Sequence, residues 1–205
     1  MEERINRRLQ EAISEAAGAD VDLDSLGESL RRAAEGIDLD SVEIGGLSEV
    51  EVIPFRELKA RLPDRVGGLL NGLPRVSEGG ETRKVLGIRY SVAEATYEKD
   101  GRRVKASLTD AGGGGAVLKR LVGFSGFEVD KETAEGSERT FDLDGHKAYE
   151  KIRKRDGAAD AQLTVLVHDR FVVALEGSGV DAASLTAAFR DFDLASLPRA
   201  APEEE

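Results

Sequence analysis

The sequence contains no cysteine and no tryptophan, and it has only two histidines among 205 residues. Without thiols the chain cannot form disulfides, use a catalytic thiolate, or hold an iron–sulfur cluster or a cysteine-ligated zinc ion. The absence of cysteine does not distinguish a cytoplasmic protein from a periplasmic one. It does exclude several large classes of redox and metal proteins.

Long apolar segments are missing as well. No run of 18 apolar residues occurs, so no segment is predicted to cross a membrane as a helix. The first 17 residues carry charge throughout and lack the apolar centre of a signal peptide. We therefore expect a cytoplasmic location, with association with the cell envelope as an open alternative.

Acidic residues outnumber basic ones, 40 to 29, which gives a net charge of -11. A nucleic acid or an anionic membrane surface would repel such a chain. We expect no nucleic-acid partner. The expected partner is an unknown protein, or a second copy of the chain that associates through the N-terminal helix.

Two short amphipathic helices are predicted at the N-terminus. Ile5, Leu9 and Ile13 recur at helical spacing, and Ser25 with Glu28 has the spacing of a capping box. An acidic, glycine-containing stretch follows. The predicted organisation is an N-terminal helical arm or linker over residues 1–48, an α+β domain over 49–198 and a disordered tail over 199–205.

Asp-Gly pairs provide the firmest pattern in the predicted domain. Asp100-Gly101, Asp144-Gly145 and Asp156-Gly157 each separate runs of alternating apolar residues, as expected for antiparallel hairpins. We predict an α+β fold with an antiparallel sheet of five to seven strands. Helices are predicted to pack on this sheet, over residues 54–62, 116–122 and 182–190.

The last strand predicts which residues form the core. Phe171, Val173 and Leu175 alternate and should face one side of the sheet. The predicted companions of this set are Val165, Val167, Ile88, Tyr90 and Leu185. A change of phase within residues 85–99 predicts a β-bulge in that strand.

The glycine run Gly112, Gly113, Gly114 and Gly115 is a candidate ligand or anion loop. A phosphate-binding loop requires a Gly-Lys-Ser/Thr sequence, but Lys119 is neither preceded by glycine nor followed by serine or threonine. The run is better interpreted as a connector between a strand and a helix. An anion at the start of that helix stays open as the alternative.

The two histidines are the remaining candidates for chemistry. If the strands on either side of Asp156-Gly157 pair, His146 and His168 lie near each other, and Asp144 or Asp169 could complete a metal site. The alternative is that both histidines make ordinary hydrogen bonds at turns. We predict no catalytic residue, cofactor or metal, with His146, His168 and Asp169 as the metal candidates.

Three segments resemble a family of uncharacterised bacterial proteins: Pro54–Pro63, Gly87–Tyr97 and Arg170–Gly177. The resemblance covers about residues 50–198 and implies no activity, cofactor or site residue. In shape alone, the pattern is also similar to PsbP-like and Mog1-like sandwiches, a likeness that carries no function.

A non-catalytic binding or interaction module, with a role at the cell envelope left open, is the leading hypothesis for function. The alternative is a protein that binds a small apolar ligand in a pocket between the sheet and helix 116–122. A third hypothesis is a hydrolase or metal enzyme that uses His146 and His168. Enzymatic activity is less expected than binding.

Overall fold

The computed structural model describes residues 51–67, 72–85, 88–112, 128–155 and 158–199. The predicted arm, the predicted helix 116–122 and residues 200–205 of the tail lie outside these ranges. Gly113, Gly114 and Gly115 of the candidate loop also lie outside them.

Nine strands and two α-helices occur in the described residues. The elements in chain order are α1 (Phe55–Lys59), β1 (Arg65–Val66), β2 (Leu73–Val85), β3 (Ile88–Lys99), β4 (Arg102–Asp110), β5 (Asp130–Thr133), β6 (Gly136–Leu143), β7 (His146–Arg155), β8 (Ala158–Val167), β9 (Phe171–Ser178), α2 (Ala182–Phe189) and a 3₁₀ turn (Leu194–Ser196). No helix among these elements is long and apolar enough to cross a membrane.

The strands form one antiparallel sheet in the order β1-β2-β3-β4-β9-β8-β7-β6-β5. It consists of two meanders, β1–β4 and β5–β9, which join where β4 pairs with β9. The prediction of an α+β fold with a sheet of five to seven strands is therefore wrong, because the described residues form mostly one nine-stranded antiparallel sheet. The two short helices account for few of the described residues.

Three strands were missed because their sequences do not alternate between apolar and polar residues. The 13-residue β2 contains Gly79, Gly80 and several charges, and β1 has two residues. All four residues of β5 are exposed. A two-residue strand is too short to show a period, and a strand without a continuous buried face shows none, so the pattern that identifies strands is absent here.

One face of the sheet carries the core. Tyr97, Leu108, Val173 and Val165 lie on it in neighbouring strands and are buried. Helix α1 packs on β2 and β3, and α2 packs mainly on β8 and β9. The opposite face carries mostly charged and hydroxyl side chains, apart from a small cluster of Leu166, Val172 and Tyr149. Burial of the apolar face, at about 25 cal/mol per Å², is the main term that holds the helices on the sheet.

The predicted core is confirmed in its main part. Phe171, Val173 and Leu175 share one cluster with Val165, Val167 and Leu185. Tyr90 was wrongly assigned to the core face. It lies on the same face of β3 as Val92, whereas Ala93 and Tyr97, on the other face, belong to the core cluster.

The predicted bulge in β3 is also wrong. β3 pairs with β4 without a shift, and the shift lies in β2 at Val76. The apparent change of phase reflects apolar residues on both faces of a regular strand.

Two of the predicted Asp-Gly turns are confirmed. Asp100 and Gly101 have φ of 52° and 76°, and Asp144 and Gly145 have 53° and 84°. Positive φ at both central residues is the requirement of a type I′ turn, whose twist matches that of the strands. The turn at Asp156-Gly157 lies outside the described residues.

Candidate functional site

Two hairpin turns lie side by side at one end of the sheet. The first, Asp144-Gly145, joins β6 to β7, and the second, His168 to Arg170, joins β8 to β9. Because β7 and β8 are paired neighbours, the ends of both hairpins meet there. Asp100-Gly101 lies at the opposite end of the sheet.

The second turn holds two non-glycine residues in a left-handed conformation. His168 and Asp169 have φ of 53° and 55°, and the Arg170 amide donates to the Val167 carbonyl at 3.2 Å. Residues other than glycine adopt this region at a cost of about 1–3 kcal/mol, and such residues concentrate at functional sites. The strain therefore marks this turn as a candidate site.

A buried ion pair between this turn and the end of β4 holds the turn in place. The Arg170 guanidinium donates Nε–H to Asp110 Oδ1 at 2.8 Å and Nη2–H to Oδ2 at 2.7 Å. Asp110 also accepts from the amides of Ile53 and Gly112, both at 2.8 Å. Four donors satisfy a carboxylate that is fully buried, which compensates for its lost hydration.

Arg170 extends this network to the first described residue. It also donates to the Glu51 carbonyl at 2.9 Å, and its guanidinium lies over the Phe171 ring at 5.0 Å. Sequence reasoning missed this pair, since 60 positions separate the two residues. Their charges alone gave no signal among 69 charged residues.

The structure brings His146 and His168 together. Their ring centroids are 5.7 Å apart, with an angle of 65° between the planes. His146 also contacts Phe189 of α2 edge-on, at 6.5 Å between centroids. Burial, and secondarily the neighbouring His168, lowers the pKa of His146. The neutral imidazole is therefore favoured at position 146.

One nitrogen of this pair has no hydrogen-bond partner among the described residues. Nδ1 of His168 is buried and unpaired within the part of the chain that the structure describes. A buried polar atom normally has a partner, so an unpaired one is a reason to ask what binds there. The pattern of two scarce histidines predicted the proximity, but not the unpaired nitrogen.

The histidines line an open cleft of about 470 Å³, which we call the turn cleft. The lining residues are Asp144, Gly145, His146, Lys147, Leu166, His168, Asp169 and Arg199. Arg190 binds Asp144 through two bonds of 2.9 and 3.2 Å, and this hydrogen-bonded guanidinium lowers the pKa of Asp144. Charges of both signs therefore surround the imidazoles.

The other predicted site residues are placed differently. Gly112 is buried, and its amide is used by Asp110. Asp169 lines the turn cleft beside His168. No group of three or more His, Cys, Asp or Glu side chains within the described ranges is arranged to hold a metal ion. The histidine pair stands without a third protein ligand there.

A small cavity lies between α2 and the sheet. It measures about 50 Å³, and its lining combines apolar Val66, Leu73 and Val104 with polar Arg102 and Ser184. Pockets for organic ligands are typically about 300–1,000 Å³, so this cavity is too small for one. The pocket predicted beside helix 116–122 lies outside the described residues and stays a prediction.

Comparison with known proteins gives no indication of function. No family model matches the chain, and no curated protein or solved structure matches it. The resemblance to a family of uncharacterised bacterial proteins therefore stays a prediction. The function has to be argued from the turn cleft and the residues that hold it in place.

Proposed function

We propose that the protein is a non-catalytic binding module and that the turn cleft is its binding site. The observation that carries this proposal is the cleft itself, about 470 Å³ in volume and lined by imidazole, carboxylate, ammonium and guanidinium groups. Its volume lies within the usual range for small-molecule sites. The mixture of charges favours a polar ligand over an apolar one.

The cleft has the rigidity that a binding site requires. One wall is a type I′ turn, whose Asp144 is held by Arg190, the residue directly after α2. The other wall is the strained turn that the Asp110–Arg170 pair supports. A site whose groups are already positioned loses less conformational entropy on binding.

The lining favours binding over covalent catalysis. Its eight residues include no serine, threonine or tyrosine that a histidine could activate as a nucleophile. The histidines, lysine and arginine can instead contact acceptor groups of a ligand, and the carboxylates can contact donors.

A titration of the ¹⁵N-labelled chain, followed by NMR, tests this proposal. The ligands are inorganic phosphate, dicarboxylates, divalent metal chlorides and short acidic or basic peptides. We expect at least one class to shift the amides of Gly145 and Asp169 saturably. The amide of Gly101, in a matched Asp-Gly turn at the far end of the sheet, serves as the internal control.

The proposal would fail if all saturable binding mapped elsewhere on the chain. It would also fail if the protein turned over substrates of a general hydrolase panel and His146→Gln or His168→Asn abolished that turnover. Lys147→Ala gives a further check for an anionic ligand, whose affinity should fall while the Gly101 amide is unaffected.

A further inference from the structure

The spacing of the two imidazoles fits a shared metal ion. Zinc binds imidazole nitrogen at about 2.0–2.1 Å, and two such bonds place the ring centroids about 5–6 Å apart at angles from tetrahedral to somewhat wider. The centroids of His146 and His168 are 5.7 Å apart. The observed separation of the two rings is therefore compatible with one ion bound by both.

The unpaired nitrogen gives a second, independent reason. Nδ1 of His168 is buried and has no partner among the described residues. A bare divalent ion is smaller than a water molecule, and it would supply the partner that this nitrogen lacks. Ordinary turn histidines, by contrast, satisfy their buried nitrogen with a carbonyl or carboxylate.

We propose that His146 and His168 together bind one divalent transition-metal ion of the zinc, nickel or copper class. Imidazole ligands suit these ions, whereas magnesium and calcium prefer oxygen. Since the described residues supply no third ligand, the other coordination positions are open to water or to a donor group of a ligand. The inference rests on the proposed function, because both rings line the turn cleft.

The composition of the chain makes this proposal unusually easy to test. It has two histidines and no cysteine, so in a tag-free protein no other imidazole or thiol can bind the ion. Isothermal titration calorimetry with zinc chloride should give one ion per chain. Nickel or copper(II) chloride should compete with zinc, and a large excess of magnesium should not.

Two variants identify the ligands. His168→Asn keeps a residue type that tolerates positive φ, so it removes the imidazole without adding backbone strain. His146→Gln removes the other imidazole. Since losing even an outer-shell partner lowers metal affinity about 10–100-fold, each variant should weaken zinc binding at least tenfold. Asp100→Asn, in the distant turn, should leave it unchanged.

Long-range ¹H–¹⁵N spectra of the unsubstituted full chain provide a readout that does not depend on variants. At saturation, the nitrogen resonances of both imidazoles should shift. Zinc binding that survives His168→Asn, or that leaves either imidazole unshifted, would overturn the inference. So would a failure to bind zinc at all.

The two proposals can fail separately. If zinc does not bind but phosphate, a dicarboxylate or a peptide shifts the Gly145 and Asp169 amides, the metal inference is wrong and the binding module stands. If no ligand shifts those amides, both are wrong. If zinc alone does so, both are supported and the metal is the ligand of the cleft.

Discussion

At the scale of single residues, the main feature is the buried ion pair between Asp110 and Arg170. Asp110 is fully buried, and only 8% of the Arg170 side chain is exposed. Both charges lose their hydration, which only well-aligned bonds can offset. Here each carboxylate oxygen receives one guanidinium bond and one backbone amide. The pair therefore connects β4, the strained turn and the first described residues.

Breaking this pair should destabilise the protein strongly. Asp110→Asn leaves the guanidinium buried without a counter-charge, and Arg170→Met does the same to the carboxylate. Each change should cost about 3–5 kcal/mol of the free energy of unfolding, measured by urea denaturation. The double variant should cost clearly less than the sum of the two. Single-variant costs below about 1 kcal/mol would contradict a tightly coupled pair.

At the scale of elements, sequence patterns identified those with one buried face. Helix α2 lies where it was predicted, because Asp181 precedes it and its buried Leu185, Ala188 and Phe189 recur at helical spacing. The charged β5 and the glycine-containing β2 gave no such period. Each pairs with the next strand of the chain, β6 or β3, but neither connection is an Asp-Gly pair, so no turn signal marked these hairpins.

The candidate site was likewise predicted from the sequence only in part. The Asp144-Gly145 turn and the proximity of His146 to His168 followed from local turn chemistry and the antiparallel pairing of β7 with β8. The Asp110–Arg170 support did not, since it depends on how β4 and β9 meet. Sequence therefore predicted the histidines and the acidic residues of the turn cleft, but not Lys147, Arg199 or the ion pair that holds the second turn.

The N-cap of α2 should contribute measurably to stability. The Asp181 carboxylate accepts from the Ser184 amide at 2.8 Å, so Asp181→Ala should cost about 1 kcal/mol at pH 7. Asp181→Asn keeps an acceptor and should cost only a few tenths of that amount. Chemical denaturation of the three proteins measures both differences.

The same cap gives a pH dependence whose sign follows from the lowered pKa of Asp181. The hydrogen bond to Ser184 holds this pKa below its ordinary value of 3.8. The stabilisation is therefore complete above about pH 4 to 5 and is lost as the pH falls through the folded-state pKa. The Asp181→Asn variant should lose less stability than the natural protein over that acid range. An identical acid dependence would rule out the carboxylate as its source.

Close packing between β9 and α2 should make Gly177 intolerant of any side chain. A Cβ at this position would collide with Val180 and approach Leu185 Cδ2 at 3.0 Å. Gly177→Ala should cost about 1–3 kcal/mol through overpacking, measured by thermal or urea unfolding. Gly79→Ala is the matched control, since a Cβ there meets nothing within 4 Å. Equal effects at the two positions would contradict the packing of α2 on β9.

At the scale of the whole molecule, two meanders share one sheet through the pairing of β4 with β9. The core cluster crosses this junction, because Ala93 and Leu108 from one meander and Val173 and Val165 from the other belong to it. A core that spans both meanders should make them unfold as one cooperative unit. The edges, by contrast, consist of the two-residue β1 and the fully exposed β5.

Native-state hydrogen exchange should reveal this difference in stability between the centre and the edges of the sheet. The amides of β4, β8 and β9 should exchange only through global unfolding, while those of Asp130–Thr133 in β5 should exchange through local fraying at far lower free energy. Added denaturant should raise the exchange rates of Leu108 in β4 and Val165 in β8 with the same slope, because both then report the same opening. Different slopes for these two residues would mean that each meander opens by itself. The junction between β4 and β9 would then be an interface between two units, and the turn cleft would lose the support of Asp110 whenever the first meander opened.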